Sequence, residues 1–485
     1  MQRGETINLS RPDILLFLSD QHHANYTGFA GHKIVRTPNL DQLAEDGVVM
    51  SCAYTSAPIC VASRVSMLTG KLPEKTGVYT NEGAIGSDQT TFLHGMAAAG
   101  YETVLCGRMH FLGEDQRHGF TRRIMGELTP LFWGRYGAAR SDLGPYVGTM
   151  ANQSLKIIGG GTSPVLEYDK AVIQAALDYL KQDHDKPQCI VVGTYGPHHT
   201  FVAPPDMYSY YKERIDIPES FRQGELHPVL SGLRNPGLKE EVLVKLRSAY
   251  FGMIENVDRQ IGEVREAWNQ YLQRSGRQGV FAYMSDHGEQ AGEHGLIGKS
   301  TFYEGSAKIP LVFAGDNIPA GVIVEQPVSI MDIGPTFCDF AGADTAPRPD
   351  GVSLKAQLLG GVQQQERTIV SEFVYQMDGN IVPARMLRQS EWKYVAYAGY
   401  EAYAQLFHIA TDPQELNNLY RPDHEAVLKF REHLRGTWHI SAIKEKYIEK
   451  REHHVLLARW GKAVDVPEPE RWTVPKEATQ LPVVE

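Results

Sequence analysis

Five short apolar runs, each closed by polar residues, constrain this chain more than any other feature. Ile14 to Leu18 is led by Arg11-Pro12 and stopped by Ser19-Asp20-Gln21. Thr103 to Cys106 is followed by Gly107-Arg108-Met109-His110, and Cys189 to Gly193 by Pro197-His198-His199. Val280 to Met284 is followed by Ser285-Asp286-His287-Gly288, and a fifth run is Pro310 to Phe313. Continuous runs of this length predict strands buried on both faces, as in a parallel sheet. Helical patterns separate them. Thr37-Pro38-Asn39 opens a helix that ends at Gly47; Tyr168 to Lys181 carries apolar residues at helical spacing; Glu240 to Trp268 carries a stripe from Val242 to Ile261. Alternating strands and helices predict an α/β fold: a large, mostly parallel central sheet flanked by helices. Ligands bind beyond the carboxyl ends of such strands. Asp20, Arg108 with His110, His198, and Asp286 with His287 are therefore expected at one edge of one sheet.

The chain is long enough for this architecture and an appendage. Its 485 residues are 42% hydrophobic and 22% charged, which suits a large core and excludes wholesale disorder. A net charge of −10 argues against binding a nucleic-acid backbone through a global field. The five cysteines are odd in number and contain no C-x-x-C, so neither a disulfide scaffold nor a cysteine zinc site is expected. No signal peptide is read in the first twenty residues, and no stretch of 18 apolar residues exists to span a membrane; the expected compartment is the cytoplasm. After about residue 365 the texture changes. Short strand-like runs at 368–370, 392–397 and 405–409, then helical patterns near 424–435 and 441–457, predict a smaller α+β subdomain with an antiparallel sheet. The expected division is 1–365 for the catalytic domain, 366–463 for the subdomain and 464–485 for an extended arm, the last hinting at a homo-oligomer. The run Lys444 to Arg451 alternates basic and acidic residues and reads as a solvated helix face.

The window Cys60-Val61-Ala62-Ser63-Arg64 to Leu68-Thr69-Gly70 carries the most chemistry. A cysteine at a helix start, four residues before an arginine, sits where amides and a guanidinium favour an anion. Taken alone it is a low-pKa nucleophile or a buried small hydrophobe. Read as C-V-A-S-R-x-x-x-L-T-G, the window resembles the signature of the type I sulfatases of the alkaline-phosphatase-like superfamily, C-x-(P/A)-S-R-x-x-x-(L/M)-T-G. Further motifs follow in order: Asp20-Gln21; Gly107 to His110, similar to G-K-x-H; Pro197 to Phe201, similar to P-H-x-P-F; Ser285 to Gly288, Gly292 to Gly295 and Lys299; and Asp412 to Leu419, similar to D-P-x-E-x-x-N-L. The stretch Gly107 to Phe111, with Glu114 to Gln116 and His118 to Phe120, resembles the choline-sulfatase branch, and the Asp-Gln start also occurs in phosphonate monoester hydrolases.

The resemblance implies a sulfuric ester hydrolase in which Cys60 is converted to formylglycine, whose hydrate attacks sulfur. It implies one divalent cation, Ca²⁺ first with Mn²⁺ or Mg²⁺ as alternatives, held by Asp20, Gln21, Asp286, His287 and residue 60. Arg64, Arg108 and Lys299 are then expected to balance charge, His198 to protonate the leaving alcohol, and His110 to act as base when the covalent sulfate breaks down. Asn81, His199 and His294 are candidate substrate contacts; each is equally a structural residue. Arg108 stands where the family usually has lysine; a guanidinium keeps its proton near neutral pH and so offers a fixed cation rather than a proton shuttle. Ala62 stands where the commonest signature has proline and implies a radical-type maturase as partner. The expected substrate is a sulfate ester of a carbohydrate or of a small alkyl or choline-type alcohol. Alternatives are a phosphonate monoester or phosphodiester hydrolase on the same scaffold, and a non-catalytic binder with unmodified Cys60.

Overall fold

The protein is described by a computed structural model over residues 11–481, except 136–139, 147–150, 223–225 and 362–365. The reading of the extreme N-terminus, the division at 365 and the last four arm residues lie outside the described residues.

The central sheet has eight strands in the order Val322–Val324, Gly47–Met50, Leu311–Gly315, Gly279–Ser285, Asp13–Asp20, Gln188–Pro197, Glu102–Gly107 and Arg122–Met125. Leu311–Gly315 alone in this sheet opposes its neighbours; the other seven strands run one way. The sheet is thus mixed, with a five-stranded parallel block running from Gly279–Ser285 to the Arg122–Met125 edge. Leu15 and Phe17 face one buried layer, with the Pro164–Leu180 and Glu240–Ser275 helices. Ile14, Leu16 and Leu18 face the other, with Cys60–Thr69, Phe92–Ala98 and Ile333–Ala341. Burial on both faces is why these strands read as continuous apolar runs.

The sequence reading does not include Val322–Val324 and Arg122–Met125, short edge strands of the main sheet, and two further strands depart from it. Gly47 does not merely end a helix: the Pro38–Glu45 helix stops before it, and Gly47–Met50 is a strand of the main sheet. A Cβ on Gly47 would lie 2.0 Å from the Phe313 carbonyl oxygen, so only glycine permits that approach. The second is Asn380–Gln389, the long partner of Ile369–Met377 in a separate antiparallel sheet completed by Trp392–Tyr397 and Gln405–His408. Its Pro383, Arg385 and Arg388 hide the strand pattern. The signal was the turn: Asp378 and Gly379 both adopt positive φ (49° and 80°), as a two-residue hairpin loop requires.

The small sheet is tied to the catalytic segment by buried charge. Lys393 lies 2.8 Å from both Glu304 and Glu415, with all three side chains buried, and the Glu304 amide donates to Glu415. Glu415 is the glutamate of the Asp412 to Leu419 motif. Tyr375 adds a hydrogen bond to the Ser300 carbonyl, one residue beyond Lys299. After the Ile440–Val464 helix the arm lies on its own chain: the Glu127 amide donates to the Glu470 carbonyl, Trp472 donates to the Glu127 carbonyl, and the Glu468 carboxylate accepts from Leu131 and Phe132 amides.

Candidate active site

Cys60 is the first residue of the fully buried Cys60–Thr69 helix. Ile59 gives that helix no side-chain cap, and Asn81 supplies the missing acceptor by taking the Val61 amide at 3.0 Å. Asn81 is thus engaged in holding the nucleophile helix. Ser63 Oγ donates to the Asp286 carbonyl at 2.6 Å, and Gly70, at φ 67°, closes the last turn. The helix start is therefore pinned to the turn that carries Asn81 and to the end of the Gly279–Ser285 strand.

Asp20, Cys60, Asp286 and His287 converge with their ligand atoms within 4.8 Å of one another, all buried. His287 Nε2 lies 3.1 Å from Cys60 Sγ, 3.6 Å from Asp20 and 3.5 Å from Asp286. His287 Nδ1 faces the Gly288 carbonyl at 2.9 Å and so carries a proton, which makes Nε2 the atom presented to the cluster. Burial opposes a second proton there, but Asp286 and Cys60 raise the ring's pKa, and a bound cation would take the Nε2 lone pair instead. Each carboxylate divides its oxygens. Asp20 Oδ2 takes Arg108 Nε at 2.6 Å and Arg64 Nη2 at 3.1 Å, while Oδ1 looks at Cys60. Asp286 Oδ2 takes Arg64 Nε at 2.8 Å, while Oδ1 faces His287. Two carboxylates and a lone-pair imidazole around one point fit a hard divalent cation.

Both arginines are committed to this scaffold. Arg64 also donates to the Arg108 carbonyl at 3.1 Å. Arg108 also donates to Glu127 (3.1 Å), Thr129 (3.2 Å) and His110 Nδ1 (2.9 Å), with its guanidinium over the Tyr195 ring. Burial and the neighbouring Cys60 oppose ionisation of Asp20, but Arg108, His198 and Arg64 outweigh them and hold its carboxyl below the ordinary range. Lys299 is the cation that faces residue 60: its Nζ donates to Cys60 Sγ at 3.1 Å and to Gln21 Oε1 at 2.5 Å. Gln21 presents its side-chain amide to the buried Glu289 and, at 3.5 Å, to His199 Nδ1, and its backbone amide donates to Asp286 Oδ1 at 3.2 Å, so its side-chain oxygen is engaged by Lys299. Burial pushes the Cys60 thiol up; Lys299 and His287 prevail and hold it well below its usual value.

The histidines separate by position. His110 and His198 both act on the Cys60 thiol as hydrogen-bond partners. Arginine only donates, so His110 Nδ1 is an acceptor and the neutral ring carries its proton on Nε2. Burial and Arg108 lower its pKa. His198 Nδ1 donates to the His199 carbonyl at 2.6 Å, which leaves Nε2 for the site. His199 stands beside His198, ring centroids 4.0 Å apart, and burial with His198 and Lys299 keeps it neutral. His294 goes elsewhere. It stacks on Tyr303 at 3.8 Å, and its charged neighbours are Glu293, Lys393 and Asp412.

Sequence reasoning missed Glu127, Thr129, Glu289 and Asp169. Glu127 holds Arg108 and accepts the Met109 and His110 amides. Asp169, within the Pro164–Leu180 helix, accepts the Tyr195 and Gly196 amides and so shapes the strand end that carries His198; burial raises its pKa to about 7. A polar residue on the buried side of that helix was the available signal. Glu127 offered none, since its local sequence reads as a loop.

The model of the sulfatase family matches residues 12–343, and a second, described as N-sulphoglucosamine sulphohydrolase, C-terminal, matches 292–437. The chain is 31% identical over 431 residues to a choline-sulfatase of Rhizobium meliloti (strain 1021), covering 84% of this chain and 82% of that protein. It is 28% identical over 443 residues to arylsulfatase K of Mus musculus, covering 84% and 76%. In fold it is similar to a phosphonate monoester hydrolase of Agrobacterium radiobacter, with a TM-score of 0.71 and 23% identity over 92% of this chain and 96% of that one.

Proposed function

Because the chain belongs to the sulfatase family and is a sulfuric ester hydrolase, we propose that it cleaves small alkyl, choline-type or carbohydrate sulfates through a hydrated formylglycine made from Cys60. The carrying observation is the place of Cys60 Sγ, 3.1 Å from both Lys299 Nζ and His287 Nε2, at a helix N-terminus. The thiol stands where an oxygen of the hydrate would sit. Surroundings that favour a thiolate favour an oxyanion there as well. A divalent cation, Ca²⁺ first, held by Asp20, Asp286 and His287, would polarise a sulfate oxygen and favour the ionised nucleophile.

The protein's own groups then divide the work. Lys299 neutralises charge at the nucleophile, and Gln21 with Glu289 fixes its direction. Arg64 and Arg108 act as positioning residues, because their donors are spent on Asp20, Asp286, Glu127 and His110. His198, once protonated, donates from Nε2 to the departing alcohol. His110 faces residue 60 as a donor in the resting state; taking up a proton there in the second half-reaction requires Arg108 to release Nδ1. Maturation of Cys60 is assigned to a radical-type formylglycine-generating partner on the strength of Ala62.

A matched alkyl sulfate and alkyl phosphonate test the reading: kcat/KM favours the sulfate by at least about tenfold, and a reversed ratio makes the chain a phosphonate hydrolase. His198→Ala slows poor leaving groups by about 10²- to 10⁴-fold and spares nitrophenyl sulfate; equal loss on both removes His198 as the acid. The ion is tested without turnover. Adding Ca²⁺, Mn²⁺ or Mg²⁺ to chelator-treated protein raises its stability, by about 2.7 kcal/mol at a hundredfold excess over Kd. Asp286→Asn loses that response, and a melting temperature indifferent to all three ions rejects the site.

A further inference from the structure

The Ile440–Val464 helix buries only Ile443, Tyr447 and Gly461 among its described residues. Its opposite face is apolar and open: Val455 and Leu456 are 56% and 61% exposed. At 3.6 residues per turn, Ile448, Glu452, Val455, Leu456, Arg459 and Ala463 fall in one stripe about 100° wide, all exposed. Glu452 and Arg459 make no ion pair or hydrogen bond among the described residues. They sit about 10 Å apart along the axis, too far to pair within the helix.

The stripe is complementary to itself. A second helix, antiparallel and related by a two-fold axis between Val455 and Leu456, places its arginine level with Glu452 and its glutamate level with Arg459. The same operation lays Ile448 over Ala463 and brings the two Val455–Leu456 pairs together. We propose that this face of the Ile440–Val464 helix is a two-fold interface with a second copy of the chain, apolar at its centre and pinned by two symmetric Glu452–Arg459 ion pairs. Such an isologous contact closes on itself and needs no other surface. The same helix supports the wall of the catalytic domain: His454 stacks on Trp133 with ring centroids 6.1 Å apart, and Gly461 admits the Trp133 carbonyl where a Cβ would lie 2.3 Å away.

The stripe from Ile448 to Ala463 is about 22 Å long. Two helices over that length bury less than the roughly 1,200 Å² of a standard interface, so the dimer depends on concentration. Sedimentation of the full chain across a concentration series is the test. Wild type shifts from monomer to dimer. Glu452→Arg or Arg459→Glu alone sets like charges together at two symmetric points and weakens the dimer at least about tenfold. The double variant carrying both substitutions restores it, which a merely misfolded single variant cannot do; circular dichroism confirms that each folds. A chain monomeric at every concentration overturns the proposal. So does association that neither single variant weakens, or that the double variant fails to restore.

Discussion

Replacing Cys60 by alanine removes sulfate-ester turnover, by on the order of 10⁵-fold or more in kcat, while the protein stays folded. A buried thiol that only filled space would cost about 1 kcal/mol of stability and leave turnover intact. The two roles therefore predict opposite results. Lys299 keeps its bond to Gln21 Oε1 in the variant, and the Asp20–Arg64–Asp286 pairing does not involve the thiol, so the frame of the site persists. Mass spectrometry of the tryptic peptide containing residue 60 supplies the second readout. Conversion to formylglycine lowers the mass by about 18 Da, and activity should track the converted fraction across preparations. Fully active protein with an unconverted thiol would refute the nucleophile.

Glu127→Ala has the largest expected effect on stability. Arg108 is fully buried, and Glu127 is one of its two carboxylate partners. Stranding half of that charge costs about 3–5 kcal/mol. Glu127→Gln keeps the shape and isolates the charge. Burial opposes ionisation of Glu127, but Arg108, His110 and Arg123 prevail and bring its pKa from 4.5 to about 2. Between those values the unfolded chain holds more protons than the folded one. The contribution, roughly 3 kcal/mol, is thus complete above pH 4.5 and lost as pH falls towards 2. Wild type and Glu127→Gln should differ clearly in unfolding free energy at about pH 6, by roughly half as much at about pH 3, and close to nothing at about pH 2. A gap that stays constant would show that the carboxylate charge is not what matters. Activity of the glutamine variant falls about 10²-fold, because Arg108 loses one of its fixed points behind Asp20.

The strand ends were legible because a parallel strand announces itself twice, by a continuous apolar run and by the abrupt polar residues that close it. Asp20, His198, Asp286 and His287 were found that way, and the structure brings them to one edge. The hairpin strand Asn380–Gln389 was hidden because its buried positions carry arginines whose partners are distant in sequence or across the hairpin: Arg385 pairs with Glu74 and with Glu372 on the neighbouring strand. His294 looked like its motif neighbours and folds away from them. Its positive φ of 54° and its stack on Tyr303 aim the ring at the junction with the small sheet.

What the amino-acid order determined alone is local: where the apolar strands of the sheet's interior run, where each of them stops, and that a cysteine opens a helix four residues ahead of an arginine. These follow from periodicity and backbone chemistry within a few residues. Only the tertiary structure decided which charges meet. Arg108 faces Asp20 across 88 positions, Lys299 reaches Cys60 across 239, and the arm lays Glu468 against Leu131 across 337. No periodicity encodes such pairings. They exist because burial leaves each of these groups no partner but another, brought to it by the packing of the sheet.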